Sequence, residues 1–374
     1  MLRLMNAPKV TDSDYIQFLI AAQRVYTCTE AARCAEIASH DAYTRLLSRL
    51  PPDTAALWQE VEPLVQRTNG LLVIDDTTLL LVIDDTTLDK PYAQKMGLVS
   101  RHWSGKHHAV VEGISLTTLL WTDGLSSLPC DCRLYEPAPN KKEQVTKNDH
   151  FLAMLHTAKE REFRPRYVCF DSWYSSLANL NAVRGHGWHW LTRLKSNRQV
   201  NPGTNGPDEK GNVAVADIDI SAYGPFDQGQ TVHLKGYGFV QVFRTVAPNG
   251  DTEHWATSDL KMMEITRQDL AQQVFAIENY HRQLKQCCGV ERAQVRSIRA
   301  QVRSIRAQVR SIRAQVRSIR AQTCHILLSV RAFVRLEAHR LQTGISGYAA
   351  KANIIREAIR LYLQKPTMLW EPTA

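Results

Sequence analysis

Acidic side chains stand directly after two apolar segments of the chain. Asp84 and Asp85 follow the run LLVI, and Asp171 follows YVCF. Both runs have the length and the apolar character of buried strands. Two strands that each end in a carboxylate favour a hard cation with oxygen ligands, such as Mg²⁺. An Asp in this place is also a common turn residue or helix N-cap, so the pattern alone leaves both interpretations open.

A further acid, Glu278, lies in the helical segment LAQQVFAIENYHRQLKQ. His281, Arg282 and Lys285 follow it by three, four and seven residues, so they share its helix face. A carboxylate beside a basic stripe suits a metal-held phosphate. The spacing of Glu278 and Arg282 is equally that of a solvated ion pair.

The pattern of elements around these acids predicts an α/β protein. Residues 12–70 form short amphipathic helices, a helix-turn-helix or an ordinary bundle. Strand-like stretches then alternate with helical ones up to residue 194, and residues 201–257 combine Gly and Pro with short alternating strands. From Arg267 the pattern is helical again.

Two perfect tandem repeats distort the composition. LLVIDDTTL occurs at 71–79 and again at 80–88, and RAQVRSI occurs four times over 292–319. Such identity indicates recent in-frame duplication rather than a solenoid. Without the surplus units the chain has 344 residues instead of 374, and loses six Arg and two Asp, so the net charge falls from +9 to +5. Basicity is therefore weak support for a nucleic-acid partner.

Other classes are excluded by composition. The chain is 44% hydrophobic and 22% charged, typical of a folded globular protein. Its eight Cys are too sparse for a disulfide scaffold, and the pair Cys130 and Cys132 lacks a second cluster for zinc. No apolar run is long enough for a membrane helix, and the first residues lack a signal-peptide core, so we expect a cytoplasmic protein.

Several motifs together resemble the DDE transposases of bacterial insertion sequences, in particular the insertion sequence four group. The resemblance covers most of residues 71–330. The motifs that carry it are VIDDTTLDKP at 82–91, HWSGKHH at 102–108, YVCFDSWYSS at 167–176, LTRLKSNR at 191–198, and Glu278 with Lys285 seven residues later. The Tyr and Arg that commonly precede this third acid are Ala271 and Val274 here.

The resemblance implies a fold and a division of the chain. The fold is an RNase H-like mixed sheet flanked by helices, with a β-rich insertion and helical ends. The expected units are a helical region at 1–70 that binds DNA ends, the first part of the catalytic domain at 71–200, the insertion at 201–257, the helix of the third acid at 258–291, a duplicated basic helix at 292–322 and a helical region at 323–374.

The resemblance also implies site residues. Asp85, the acid before the paired Thr, matches the first metal ligand, with Asp76 of the upstream repeat and Asp84 as alternatives. Asp171 and Glu278 match the second and third. Together they would hold two Mg²⁺ ions, with Mn²⁺ as a substitute. The residues expected to contact DNA phosphates are Lys285, Arg282, Arg193, Lys195 and Arg198. Trp173 and Tyr174 are core residues or a stacking platform for a displaced base.

The predicted function is therefore metal-dependent cleavage of DNA at element ends and strand transfer into a target. The partners are double-stranded DNA, with terminal inverted repeats, and a second copy of the chain on that DNA. One alternative is a decayed or domesticated DNA-binding protein that keeps the fold without the chemistry. Another is a stand-alone RNase H-like nuclease.

The repeats themselves predict two structural effects. Copy two of LLVIDDTTL, which keeps its connection to DKPYAQKMG, should occupy the strand, and copy one should lengthen the linker before it. In the Arg-rich repeat, Val and Ile alternate at spacings of three and four, so the segment should form one helix. Its surplus units would push the end helix ILLSVRAFVRLEAHRL about 32 Å along the axis and off its seat on the catalytic domain.

Overall fold

The computed structural model describes residues 8–65, 67, 80–91, 96–104, 108–138, 140–203, 211–220, 226–246, 250–292 and 305–365, without the side chains of 141 and 305–318. Four short helices open the chain: α1 Asp12–Ala21, α2 Cys28–Ala35, α3 His40–Arg49 and α4 Ala55–Val61. Thr11 and Asp14 form a capping box that satisfies free amide groups at the start of α1. These helices bury a contiguous apolar face that includes Tyr15, Leu19 and Leu46.

The first half of the sheet is an antiparallel unit that continues into parallel strands. It comprises β1 Leu80–Asp89, β2 Ser100–Ser104, β3 Ala109–Thr122, β4 Ser127–Leu134, the helix α5 Lys147–Glu160, β5 Tyr167–Phe170, the helix α6 Leu177–Gly185 and β6 His189–Leu194. β3 pairs antiparallel with β1 and β4, whereas β5 pairs parallel with β1 and β6. The order β4-β3-β1-β5-β6 is that of an RNase H-like sheet, so the predicted fold class is confirmed.

Further strands extend this sheet beyond β6. The strands are β7 Gln199–Val200, β8 Val213–Ala214, β9 Gln230–Leu234, β10 Gly238–Val246 and β11 Thr252–Thr257. β11 pairs antiparallel with β6, and β10 and β9 follow as a meander, while β7 and β8 form a separate two-stranded ladder. The three-stranded extension places Glu253 of β11 beside the end of β6, because Trp255 pairs with Arg193.

Copy two of the nine-residue repeat forms β1, as its downstream connection predicts. The residues of copy one, 71–79, lie outside the described part of the chain. β1 is apolar and fully buried from Leu80 to Ile83, where it is covered on both faces of the sheet.

Three helices complete the fold: α7 Glu264–Cys287, α8 Ile305–Thr343 and α9 Gly347–Gln364. α8 packs against α1, α3, α4 and β4. Its Arg331 pairs with Asp12 and Glu60 at 2.7 Å each, and His325 Nδ1 lies 3.0 Å from the hydroxyl of Tyr15. None of the helices among the described residues is long and apolar enough to span a membrane.

The expectation that the end helix leaves its seat is wrong. The segment 321–337 is almost entirely buried between the N-terminal helices and the sheet. The surplus RAQVRSI units all precede Ala321, so the buried face keeps its own sequence and spacing. The repeat therefore lengthens α8 on its N-terminal side, from Ile305, instead of displacing the packed part, and its residues 293–304 lie outside the described part of the chain.

Candidate active site

The register of the central strands places Asp84 and Asp171 side by side. Leu80–Ile83 pairs in parallel with Tyr167–Phe170, and the last pair is Ile83 with Phe170. Asp84 is the next residue of β1, and Asp171 directly follows β5 in extended backbone. Because residues at the same level of parallel strands point to the same face, both carboxylates lie on one side of the sheet. Phe170 in turn pairs with Thr192, so Arg193 continues this row on β6.

The helix α7 covers the face of the sheet to which Asp84 points. Asp84 pairs across the ladder with Thr118, whose hydroxyl lies 3.9 Å from the sulfur of Cys132. The same sulfur lies 4.0 Å from the hydroxyl of Tyr280 in α7. Glu278 is two residues before Tyr280 and is exposed. Its side chain points away from the sheet-facing side of α7, but it is near enough for its charge to act on Asp84 and Arg193.

Electrostatics show that these acids interact. The pKa of Asp84 is raised from 3.8 to about 8, first by burial of its carboxyl group and then by the charge of Asp85, with the charges of Asp171 and Glu278 contributing in the same direction. A hydrogen bond from the Asp85 amide opposes this shift. Within the described residues, no three His, Cys, Asp or Glu side chains already form a metal-sized cluster. Asp84, Asp171 and Glu278 are therefore close enough to repel each other electrostatically, but their side chains do not form a complete set of metal ligands.

Asp85 points to the opposite face of β1 and is neutralised there. Its Oδ2 accepts a hydrogen bond from Lys147 Nζ at 2.6 Å, and its Oδ1 accepts one from the hydroxyl of Tyr174 at 3.1 Å. Ser115 donates a longer one at 3.4 Å. The Lys147 ammonium also lies 5.6 Å from the ring centre of Trp173. Asp85 is thus the acceptor at the centre of a polar network beneath α5.

Comparison with known proteins identifies the family. Residues 15–213 match the family model of the DDE superfamily endonucleases, more than half of the chain. The chain belongs to the DDE superfamily of endonucleases. None of the curated proteins matches it. Among solved structures it is similar to the cryo-EM structure of a piggyBac transposase synaptic complex with hairpin DNA. That match has a TM-score of 0.41 and 10% identity over 98% of this chain and 77% of the other, a level that carries no functional information.

The basic residues of this DDE endonuclease fall into two groups. Arg193 and Lys285 are engaged: Arg193 pairs with Glu253 at 2.8 Å and approaches Asp171 at 3.8 Å. Lys285 donates to the carbonyl of Thr87 at 2.9 Å and pairs with Glu291 at 3.1 Å. Arg282 and Lys195 are exposed, whereas burial lowers the pKa of the half-buried Arg198. Asp76, an alternative first acid, lies outside the described residues.

The two aromatic residues after Asp171, Trp173 and Tyr174, differ in their exposure. Tyr174 is fully buried, and burial together with the charge of Asp85 raises its pKa. Trp173 is 50% exposed beside it. No residue pattern predicts the contact of Tyr174 with Asp85, because that contact depends on the turn after β5.

Sequence reasoning missed Lys147 and Glu253, which neutralise Asp85 and Arg193. Lys147 is the first residue of α5 and Glu253 lies on an added strand, so neither carries a motif. For His281 the sequence pattern indicates only a position on the helix face of Glu278. His281 is buried in α7, its Nε2 has no hydrogen-bond partner among the described residues, and burial lowers its pKa to about 3. His281 is therefore neutral at physiological pH.

Proposed function

We propose that this DDE endonuclease is a transposase that cuts and joins DNA strands with divalent metal held by Asp84, Asp171 and Glu278. The observation that carries the proposal is the pairing of Ile83 with Phe170, which brings Asp84 and Asp171 to the same level of adjacent strands. The pKa of Asp84 agrees with it, since burial first, then the charge of Asp85 and then those of Asp171 and Glu278 raise it to about 8. Like charges converge in this way where a cation is needed to stabilise them. Membership of the endonuclease family and the motifs around these acids support the same chemistry.

The residues present fit a divalent cation. The donors are carboxylate oxygens, which suit Mg²⁺ or Mn²⁺ rather than a soft metal. The shared negative charge at Asp84, Asp171 and Glu278 is what a bound cation would relieve. We infer two Mg²⁺ ions, with Mn²⁺ as the substitute.

Each acid has a role that follows from its place. Asp84 and Asp171 project from adjacent strand positions and fix the two sides of the site, while Glu278 approaches from α7 on the exposed side, where DNA enters. When bound, divalent metal activates a water or a 3′-hydroxyl and stabilises the leaving oxygen. Arg193, between Asp171 and Glu253, holds Asp171 in place and can turn one amino group towards a phosphate.

Asp84 is a better first ligand than Asp85, although the acid before the paired Thr is the one that the resemblance selects. The two residues are adjacent in a strand, so they point to opposite faces. Asp85 faces Lys147 and Tyr174, and a carboxylate with a lysine at 2.6 Å is already compensated. Asp84 faces the side of α7 and shares charge with Asp171 and Glu278.

The substrate that we infer is double-stranded DNA at the ends of a bacterial insertion sequence of the insertion sequence four group. Terminal inverted repeats would be bound and then joined to a target in the cytoplasm, by a homodimer on DNA. The exposed Arg282 and Lys195 are the first phosphate contacts in this proposal, and Arg193, Arg198 and Lys285 follow if DNA displaces their present partners.

The test incubates the purified full chain with DNA from the ends of its own element and Mg²⁺, and maps cuts and joints. Wild-type protein should nick at the ends only when metal is present. Asp171→Asn should bind the same DNA without cutting it. Cleavage by Asp171→Asn at the wild-type rate would contradict the proposal.

A second candidate is a DNA-binding protein that has lost the chemistry. It is favoured by the absence, within the described ranges, of a preassembled group of three metal-ligating side chains, and by the duplications. Such a protein shifts end DNA in a gel at every metal concentration and never cuts it. A stand-alone nuclease would cut without joining.

A further inference from the structure

The three-stranded extension of the sheet brings a further acid to the edge of the active site. Asp84 of β1, Asp171 after β5 and Arg193 of β6 lie at one level of adjacent strands. On β11, Trp255 pairs with Arg193 and continues this row. Glu253 is two residues before Trp255, so it points to the same face of the sheet and lies diagonally opposite Arg193, within reach of a long side chain.

Arg193 lies between two carboxylates at unequal distances. Its Nη1 donates to Oε1 of Glu253 at 2.8 Å, whereas its Nη2 lies 3.8 Å from Oδ1 of Asp171. The side chains of the two acids are exposed to a similar degree, 38% for Glu253 and 45% for Asp171. Screening by solvent therefore does not explain why the guanidinium is hydrogen-bonded to one carboxylate and only approaches the other.

The surroundings of Glu253 hold its carboxylate in place. The indole N–H of Trp255 donates to Oε2 of Glu253 at 3.1 Å, while Oε1 accepts from Arg193. Trp255 is buried, and the guanidinium groups of Arg193 and Arg267 lie 5.6 and 5.7 Å from its ring centre. Arg267 is itself buried and donates to Glu264 at 2.9 Å. Because Trp255 is fixed by this packing, the position of the acceptor for Arg193 is fixed as well.

Glu253 acts on Arg193 more strongly than Asp171 does. Burial lowers the pKa of Arg193, but the hydrogen bond and charge of Glu253, followed by the charges of Asp171 and Glu278, raise it overall. The guanidinium therefore stays charged. A charged guanidinium beside Asp171 competes with any other cation for that carboxylate, because its planar fork of N–H donors pairs readily with carboxylates.

We propose that Glu253 is a positioning residue, which keeps Arg193 close enough to orient Asp171 but too far away to neutralise it, so that the Asp171 carboxylate stays available to a divalent cation. The inference rests on the function proposed above, in which Asp171 is a metal ligand. Without the charge of Glu253, the guanidinium can close the gap of 3.8 Å and pair with Asp171. A metal ion must then displace Arg193 before it binds. The added strand β11 thus contributes to the active site.

The test measures Mn²⁺ binding to the full chain without DNA, by isothermal titration. Glu253→Gln keeps the shape of the side chain, but its neutral amide no longer competes with Asp171 for the guanidinium. The affinity for Mn²⁺ should fall about 3- to 5-fold, which is the contribution of one partly exposed ion pair. Asp251→Asn removes an exposed acid directly before β11 and is the matched control. It should change the affinity by less than about 1.5-fold.

A second background separates the contact with Arg193 from a general effect of charge. Arg193→Met keeps an unbranched apolar side chain over Trp255 and removes the guanidinium, so Glu253 has no cation to hold away from Asp171. When Glu253→Gln is added to Arg193→Met, the affinity for Mn²⁺ should therefore change by less than about 1.5-fold. Thermal unfolding shows that each variant is folded.

Failure of this inference and failure of the proposed function give different results. If the wild type does not bind Mn²⁺, the metal site itself is wrong, and the role of Glu253 is wrong with it. If the wild type binds Mn²⁺ and Glu253→Gln binds it equally well, only the positioning role is overturned. An equal loss with and without Arg193, or in Asp251→Asn, also overturns that role, because net charge then causes the effect.

Discussion

The two faces of strand β1 hold neighbouring acids in opposite electrostatic states. On one face Asp85 is paired with Lys147 at 2.6 Å and with the hydroxyl of Tyr174. On the other face burial, followed by the charges of Asp85, Asp171 and Glu278, raises the pKa of Asp84 to about 8. A carboxylate that is paired with a cation of the protein stabilises the fold. A carboxylate without such a partner can instead bind a cationic ligand.

In the function that we propose, this difference separates a structural acid, Asp85, from a metal-binding one, Asp84. The Asp85 side is closed by α5 and by the turn after β5, so its polar groups satisfy each other. The Asp84 side opens towards Glu278, which is exposed on α7. Changes on the two faces should therefore have different effects on cleavage and on stability.

The largest expected effect is on DNA cleavage, for a substitution on the face of the sheet that holds Asp84. Glu278→Gln removes one of the three carboxylates, and cleavage of end DNA should fall about 10³-fold. Asp269→Asn, an exposed acid on the same helix, is the matched control and should retain activity. A gel-shift assay should show equal DNA affinity for both. Full activity of Glu278→Gln would show that Glu278 of α7 is not part of the active site.

On the face of β1 that holds Asp85, substitutions should change the free energy of unfolding. Lys147→Met leaves Asp85 half-buried without its cation, and the free energy of unfolding should drop by about 1–3 kcal/mol. Urea unfolding measures this change. Adding Asp85→Asn in the same chain should restore part of the loss, since the uncompensated charge is gone. Additive losses in the double variant would mean that the two side chains do not interact.

On the face of β1 that holds Asp84, removing the acid should raise the stability of the fold instead of lowering it. The pKa of Asp84 is raised in the folded chain, so the folded state holds its proton more tightly than the unfolded state. Without metal, the contribution of Asp84 to stability is therefore greatest below about pH 4 and falls as pH rises to about 8. Asp84→Asn removes this penalty and should raise the melting temperature by about 2–4 °C at pH 8, with little change at pH 4.

The same measurement should be repeated with Mg²⁺. Because a bound cation neutralises the wild-type Asp84 carboxylate, the difference in melting temperature between Asp84→Asn and the wild type at pH 8 should become smaller. Asp85→Asn should lower the melting temperature at both pH values. A fall in melting temperature for Asp84→Asn at pH 8 without metal would mean that Asp84 is compensated after all.

The smallest expected effect is on DNA affinity. Arg282 is exposed one turn beyond Glu278, and its only hydrogen bond among the described residues is a long one to Asn279 at 3.4 Å. Arg282→Ala should weaken DNA binding about 3- to 10-fold and reduce the salt dependence by about one charge. Arg164→Ala, before the start of β5 and away from the acids, should change neither. Equal salt slopes for the wild type and Arg282→Ala would exclude this contact.

Much of this arrangement could be predicted from residue patterns alone. The apolar runs before Asp84 and Asp171 predict strands, and the family motifs predict their neighbourhood in an RNase H-like sheet. The choice between Asp84 and Asp85 could not be made, because it depends on the phase of β1 against β5. That phase is set by the pairing of Ile83 with Phe170, which no local pattern encodes.

The remaining differences have the same origin in long-range contacts. The resemblance predicts Lys285 at DNA, and without DNA its ammonium reaches the carbonyl of Thr87 and the carboxylate of Glu291, contacts that no local pattern predicts. The end helix was expected to leave its seat, yet the burial of 321–337 holds it there. In both cases periodicity gave the correct helix but not the surface against which the helix packs.

Metal binding by the two neighbouring acids tests the central claim most directly, and it does not require an active enzyme. Isothermal titration of the full chain with Mn²⁺ should give saturable binding for the wild type and for Asp85→Asn. Asp84→Asn should lose at least about 10-fold in affinity, because one direct ligand is gone. Retained binding by Asp84→Asn together with its loss in Asp85→Asn would contradict the account and return the first ligand to the other face of β1.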